Sequence, residues 1–529
     1  MRDFQSPGRS IVYATRGMAA SSHPLSSLAA IDTLRRGGNA IDAAVAAIAH
    51  QGVVEPMATG IGGDCFAIIW KAKEQRFVAI NGSGWAPQGL SSRWMLDQDM
   101  KMGLTSPHAV TVPGAVDAWC RLIADHGKLP LAQVLEPAID QARHGFAVTP
   151  NVAEEWRGAE GKLKATANAT HHYLPGGQAP KVGDIFHSGP MAEALQAIAD
   201  KGRDGFYNGP VLDDMLASLR AVGGLHAADD FTAFRSEYVE PISSSYRGIE
   251  LFELPPNDLG VTTSLMLNIL ERFDLKALEA GSAERYHLLL EASRIAFAVR
   301  GVCLGDPRFH TSPMARLLSA DLADSLAKRI KLNGPIAELP PAATLLGTDT
   351  VTVSVMDEER NIVSIVNSLF HRFGSGIASE RYGIMFHNRG TGFVVEPGHP
   401  NDVQPRKRPA HTIMPAILKK DGKPWLSLGV KGGLYQPVGK VQIATSLIDY
   451  GMDLQTALDF PRASYGESGG VDVERGVAPS TWEALAAMGH PVALAKEPLG
   501  GAQAIMIDGK TGVLAGASDS RKDGAALGY

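Results

Sequence analysis

Cysteine is scarce in this chain: three residues in 529, Cys65, Cys120 and Cys303, all far apart. That spacing supports neither a disulfide framework nor a cysteine-based metal site. The pair His171-His172 has no second ligand cluster near it in sequence and reads as a surface pair. No run of about 18 consecutive apolar residues occurs, so no segment reads as a membrane-spanning helix. Positive charge is not in excess. Fifty Lys and Arg against 56 Asp and Glu leave a formal charge of -6, which argues against nucleic acid as the main partner. The opening stretch MRDFQSPGRSIVYATRG lacks the apolar core of a secretory signal, so a cytoplasmic protein is expected. Phosphate-loop glycines followed by Lys-Ser/Thr are missing, as is any internal repeat. What is present is an ordinary soluble balance, 45% hydrophobic and 20% charged, sufficient for a large core. The length allows two domains or one large sandwich.

Residues 23–50 read as helix in two parts. Ser22 is placed to cap it, and Pro24 fits the first turn, where a missing N–H does no harm. Gly37-Gly38 interrupt the helix, and AIDAAVAAIAH resumes it with strong helix formers. VVEPMATGIGGDCFAIIW passes from a turn into an apolar strand ending at Trp70, and RFVAINGSG reads as its hairpin partner. Residues 110–330 read as mostly helical. TVPGAVDAWCRLIADHG runs from Pro113 to Gly127, and SAERYHLLLEASRIAFAVRG is the longest amphipathic helix. Residues 331–349, KLNGPIAELPPAATLLGTD, hold prolines and little periodicity, the mark of a loop. Short strands then dominate: TVTVSVMD, NIVSIVNSLF, GIMFHN, IMPAILKKDGKPWLSLGV and GAQAIMIDGKTGVLAGA, with hairpin signals at Asp421-Gly422 and Asp508-Gly509. A helical half and a strand-rich half, each holding partial sheets, point to an α+β layered sandwich.

The alternation Thr350-Val351-Thr352-Val353-Ser354-Val355 reads as a half-buried strand directly behind that loop. A hydroxyl residue there becomes a new N-terminus if the chain is cut before it. Its own α-amine then serves as its general base, the logic of an N-terminal threonine nucleophile. A hairpin folding about Glu359 sets Thr350 opposite Ser368, with Cβ atoms about 5 Å apart. The same spacing equally fits a polar pair on a solvated face. Two glycine clusters, Gly60-Ile61-Gly62-Gly63 and Gly429-Val430-Lys431-Gly432-Gly433, are candidates for an oxyanion hole, though tight turns use glycine in the same way.

Ordered segments along nearly the whole chain resemble the γ-glutamyltranspeptidase family of N-terminal-nucleophile hydrolases. They include HPLSSLAAIDTLRRGGNAIDAAVAA at 23–47, VEPMATGIGGDCF at 54–66, TVPGAVDAW at 111–119, LPPNDLG at 254–260, DTVTVSVMD at 349–357, FGSGI at 373–377, KRPAHTIMP at 407–415, KGG at 431–433 and the terminal SDSRKDGAALGY. The resemblance implies a four-layer αββα sandwich. It implies cleavage between Asp349 and Thr350, giving a large subunit 1–349, which ends in the flexible loop 331–349, and a small subunit 350–529. Thr350 matches the nucleophile, Ser368 the flanking hydroxyl, and Gly432 and Gly433 the oxyanion glycines. The implied partners are a small-molecule amide and the chain's own two subunits, with further dimerisation left open. No metal or organic cofactor is implied.

The residues that read a γ-glutamyl group in that family are changed. The carboxylate-binding Arg falls on Ser83, the Asn after the flanking hydroxyl on Phe370, and the amine-binding Gln and Asp on Arg389 and Gly392. The paired serines become His411 and Thr412. A site built for an ammonium group is thereby neutral or basic. Arg389 or Arg372, with His411, is placed to clamp a carboxylate, unless these arginines face solvent. Trp85 and Phe370 would narrow the pocket. These departures resemble the oxamate amidohydrolase branch, which acts in purine-nitrogen (allantoin) breakdown. The alternatives are a γ-glutamyl hydrolase or transpeptidase, another amide acylase, and an unprocessed, non-catalytic binding protein.

Overall fold

The computed structural model describes residues 8–337, 339, 349–466 and 469–529. At its centre lie two seven-stranded sheets whose neighbours all pair antiparallel. From edge to edge the first runs Ala525–Gly528, Met18–Ser21, Asp349–Met356, Ile362–Phe370, Asp64–Lys71, Arg76–Gly82 and Glu237–Val239. The second runs Val12–Ala14, Leu514–Ser518, Gly501–Ile507, Lys423–Lys431, Ala416–Lys420, Ile249–Glu253 and Ile242–Tyr246. Chain from both sides of position 350 therefore alternates within each sheet.

Three apolar layers hold the sheets in place. Val351, Val353 and Val355 pack with Ala43, Ala47 and Ile48 of helix Ala40–Val54 on the outer face of the first sheet. Met18, Phe66, Ile68, Ile362, Val366, Ile417 and Ile505 fill the space between the sheets. Leu426, Leu428 and Val430 pack with helices Val261–Leu270, Ala283–Cys303 and Tyr435–Ile448 on the far side. The result is the four-layer αββα sandwich of α+β class expected from the sequence. Helix Ala40–Val54 is buried at every position but Gly52, because it lies between the first sheet and the outer helices Pro24–Arg35 and Leu131–His144. Its many alanines suit a helix covered on all sides.

The hairpin of the first sheet keeps the expected register, Val351 opposite Asn367 through Met356 opposite Ile362. The register shifts once, between Asp349 and Val351, where Asp349 faces Phe370. This bulge sits at Thr350, and bulges re-aim side chains near functional sites. The strand is not half-buried. Thr352 and Ser354 are as buried as the valines, since both faces of a central strand are covered in a four-layer fold.

Other local expectations shift for identifiable reasons. His23, not Ser22, caps the first helix, its Nδ1 accepting from Leu25 N–H at 3.3 Å, because the Ser22 hydroxyl donates to buried Glu55 at 2.7 Å. The stretch 110–330 also carries the short pair Phe146–Ala147 and Ile185–Phe186 and the strands Glu237–Val239, Ile242–Tyr246 and Ile249–Glu253. GIMFHN makes an isolated bridge, Ala378 to Met385, rather than a strand. Asp421-Gly422 forms the tight hairpin with both φ angles positive, whereas Asp508 opens a longer loop by accepting the amides of Lys510 and Thr511. Among the described residues no helix is long and apolar enough to cross a membrane.

Candidate active site

Thr350 opens the central strand of the first sheet, and its Oγ1 lies 3.0 Å from Ser368 Oγ. Both residues are 0% exposed, so the pair does not lie on a solvated face. Ser368 Oγ accepts the Phe370 N–H at 2.8 Å and the Arg389 Nη2–H at 3.3 Å. A serine oxygen has two lone pairs and one proton. The two hydroxyls share one hydrogen bond, for which either oxygen can supply the proton. Phe370 holds φ +78°, a left-handed conformation rare for an aromatic residue, and this turns its N–H back onto Ser368.

Arg389, in the short turn Arg389–Gly392, is fully buried. Its Nη1 donates to Thr412 Oγ1 at 2.8 Å, and its guanidinium carbon lies 4.0 Å from the centre of the Phe370 ring. Its Nε has no partner among the described residues. An arginine carries five N–H donors in a planar fork, and three of these remain for a ligand. Burial pulls the guanidinium down to about 9, opposed by Asp64 and Asp258, so it stays charged at neutral pH. One hydroxyl, Ser368, separates this cation from the Thr350 hydroxyl, well inside the ~8 Å over which charge pairing persists in salt.

The counter-charge is Asp64, which faces Ser368 on the adjacent strand. Its Oδ1 accepts the Gly84 and Gly114 amides at 3.0 and 3.1 Å, and its Oδ2 accepts His411 Nε2–H at 2.9 Å. Burial pushes the carboxyl up, but His387, His411 and Arg389 outweigh it and hold it below the usual range. Burial keeps both imidazoles neutral, His411 down to about 3, so the lasting cation beside Asp64 is Arg389. His387 Nε2 donates to the Thr111 carbonyl at 2.8 Å. Asp64 and His387 were missed in the sequence. An acid opening the apolar run DCFAIIW was the available signal for Asp64, because a buried carboxylate requires partners.

The remaining sequence candidates are distributed as follows. Phe370 and Arg389 join Ser368 directly, and Thr412 joins through Arg389. His411 stands one step away, through Asp64. Ser83 is fully buried; its hydroxyl accepts from Asn257 Nδ2 at 3.0 Å, and the next amide, Gly84, holds Asp64. Trp85 has a different set of partners: its Nε1 donates to the Asp230 carbonyl at 3.1 Å, and its ring meets Phe234 edge-on at 5.2 Å. Arg372 directs two N–H donors at the Glu497 carboxylate, at the protein surface. The side chain of Asp349 lies outside the described residues, as does most of the stretch 331–349 before it.

The two glycine clusters separate by packing. A Cβ on Gly62 would fall 2.1 Å from the Met385 carbonyl oxygen, and one on Gly63 2.5 Å from that of Ser368, so these glycines serve close backbone approach. Gly432 and Gly433 end the strand Lys423–Lys431 with φ of +125° and +54°, immediately before helix Tyr435–Ile448. Neither amide donates to a partner among the described residues. Gly429 of the same strand lies on Thr352, two residues from Thr350, where a Cβ would come within 1.7 Å of Thr352 Oγ1. Unpartnered amides at a helix start suit a developing oxyanion. Among the described residues no group of three or more His, Cys, Asp or Glu is arranged to hold a metal.

A family model described as Gamma-glutamyltranspeptidase matches residues 26–529. The chain is 38% identical to the glutathione hydrolase-like YwrD proenzyme of Bacillus subtilis (strain 168), covering 98% of this chain and 99% of that one. It is 32% identical to the oxamate amidohydrolase proenzyme of Klebsiella pneumoniae, again covering 98% and 99%. Among solved structures it is similar to a cephalosporin acylase from Bacillus halodurans, with TM-score 0.92, 35% identity, and coverage of 100% of this chain and 99% of that one.

Proposed function

Because the chain belongs to the γ-glutamyltranspeptidase family, a group of autoprocessed amide hydrolases and acyl transferases, we propose that it is an amidohydrolase with Thr350 as nucleophile and a small carboxylate-bearing amide, best represented by oxamate, as substrate. The supporting observation is the buried chain Arg389–Ser368–Thr350, which sets a charged guanidinium one hydroxyl from the nucleophile. A substrate whose carboxylate meets Arg389 presents a neighbouring amide carbonyl to Thr350.

In the proenzyme, Thr350 Oγ1 attacks the Asp349 carbonyl. An N-to-O acyl shift and hydrolysis of the resulting ester release the Thr350 amine and leave subunits 1–349 and 350–529. The freed amine, with an ordinary pKa of roughly 7.7–8.0, takes the Thr350 hydroxyl proton. Thr350 Oγ1 then adds to the substrate carbonyl, and the Gly432 and Gly433 amides receive the oxyanion. Collapse passes the proton to the departing nitrogen and expels ammonia. Water, deprotonated by the same amine, hydrolyses the ester to oxalate.

The test has two parts. On a denaturing gel the 56.1 kDa chain gives two bands, about two-thirds and one-third of the mass, and Thr350→Ala leaves one. The processed protein releases ammonia from oxamate faster than it releases chromophore from a γ-glutamyl anilide. Preference for the anilide would instead assign a γ-glutamyl substrate, and an intact, active chain would end the N-terminal threonine mechanism.

A further inference from the structure

Asp258, in the turn between strand Ile249–Glu253 and helix Val261–Leu270, is fully buried and unused in the chemistry above. Its backbone bridges His411, one residue from the Thr412 hydroxyl that accepts from Arg389. Oδ1 accepts the Gly260 amide at 2.5 Å, and Oδ2 has no partner among the described residues. Arg389 Nε, equally buried, has none either. Two orphaned polar atoms in one buried cluster, on an aspartate and an arginine that interact electrostatically, mark a place where a ligand supplies the missing bonds.

Charge balance decides what Asp258 offers. Lys440 faces it from helix Tyr435–Ile448, Glu253 from the end of the preceding strand, and Arg389 from the turn Arg389–Gly392. The neutral His411 imidazole and Asp64 belong to the same buried cluster. Lys440 is already paired with Glu253 at 2.5 Å, and Arg389 is balanced by ionised Asp64. An ionised Asp258 would be one buried anion too many. Burial accordingly drives its carboxyl well above the usual range, against Lys440 and Arg389.

We propose that Asp258, as a neutral carboxylic acid, is a further substrate-binding residue of this site, its O–H donating to one oxygen of the substrate carboxylate while the Arg389 guanidinium donates to the other. This deepens the carboxylate-amide reading and rests on it. It also accounts for selectivity: an ionised aspartate here would attract an α-ammonium group, whereas a protonated one offers such a group nothing but a donor.

The test is calorimetric titration of the processed protein with oxalate at pH 7. Asp258→Asn is neutral, keeps an acceptor for Gly260 and supplies an N–H donor. It binds oxalate within about threefold of wild type at pH 7. Asp258→Leu, checked for two subunits and a cooperative melt, binds at least about thirtyfold more weakly. Leu binding as tightly as wild type, or Asn losing as much as Leu, overturns the assignment while the carboxylate reading stands. If wild type does not bind oxalate, or if Arg389→Lys leaves its affinity unchanged, the carboxylate reading falls and this assignment falls with it.

Discussion

Arg389→Lys isolates the carboxylate-binding step. Removing the charge altogether would leave Asp64 buried without its cation, at a cost of roughly 3–5 kcal/mol, and would confuse binding with folding. Lysine keeps the positive charge, so the chain should fold and process. It loses the planar fork that reaches Thr412, Ser368 and a ligand together. A hydrogen bond to a charged group contributes about 1.5–3 kcal/mol, and one such bond to the substrate carboxylate is lost. At 1.36 kcal/mol per decade, kcat/KM for oxamate falls about 10- to 100-fold. Acetamide, small and uncharged, never uses that bond. The lost contact with Ser368 slows both substrates equally and cancels in their ratio. The assay is ammonia release from each amide under kcat/KM conditions, wild type beside variant. The oxamate-to-acetamide ratio should drop by that 10- to 100-fold. An unchanged ratio, whatever happens to the absolute rates, would mean that Arg389 serves the fold or the nucleophile and not the substrate carboxylate.

Further outcomes follow from the same geometry. Ser368→Ala removes the hydroxyl bonded to Thr350 and strands two buried donors, so kcat should fall about 100-fold with KM changed less than threefold; a wild-type kcat would refute the orienting role. His411 is held neutral, down to about 3, against roughly 6.5 when unfolded. Its stabilising contribution is complete above pH 6.5 and is lost at about 1.4 kcal/mol per pH unit as pH falls toward 3. His23, down to about 3, and His50 and His226, each down to about 4, add to the slope in the same direction. Denaturant midpoints between pH 7 and 4.5 should show the steep loss, and His411→Gln should flatten it by one group. Gly429→Ala places a methyl group 1.7 Å from Thr352 Oγ1 at the sheet-to-sheet contact. Soluble yield and self-cleavage should both collapse, and a normally processed variant would contradict the close crossing of the two sheets.

Much of the candidate site was legible because it is local. The alternation from Thr350 to Val355 and the turn around Glu359 set the hairpin register, and that register carries Ser368 to Thr350 whatever else the chain does. The strand preference of TVTVSV, the helices at 24–54 and the long helix at 283–303 follow from periodicity and capping within a few turns. Long-range pairing was not legible. Nothing in the local pattern says that Asp64 lies opposite Ser368, that Asp258 bridges His411, or that Ile249–Glu253 joins a sheet with strands some 170 residues later.

The amino-acid order alone therefore determined that the Thr350 and Ser368 hydroxyls face each other and that the fold is layered, since each depends on short spacings and on side-chain chemistry; the proposal of Thr350 as nucleophile drew on the family resemblance, because the spacing by itself fits a polar pair equally well. Tertiary structure decided which arginine reaches the Thr350–Ser368 pair. Arg372 and Arg389 are equivalent as sequence, but the backbone turns one toward Glu497 and buries the other against Ser368 and Thr412. Burial decides the rest, because the same Asp and His side chains become ionised or neutral according to which charges the fold brings beside them.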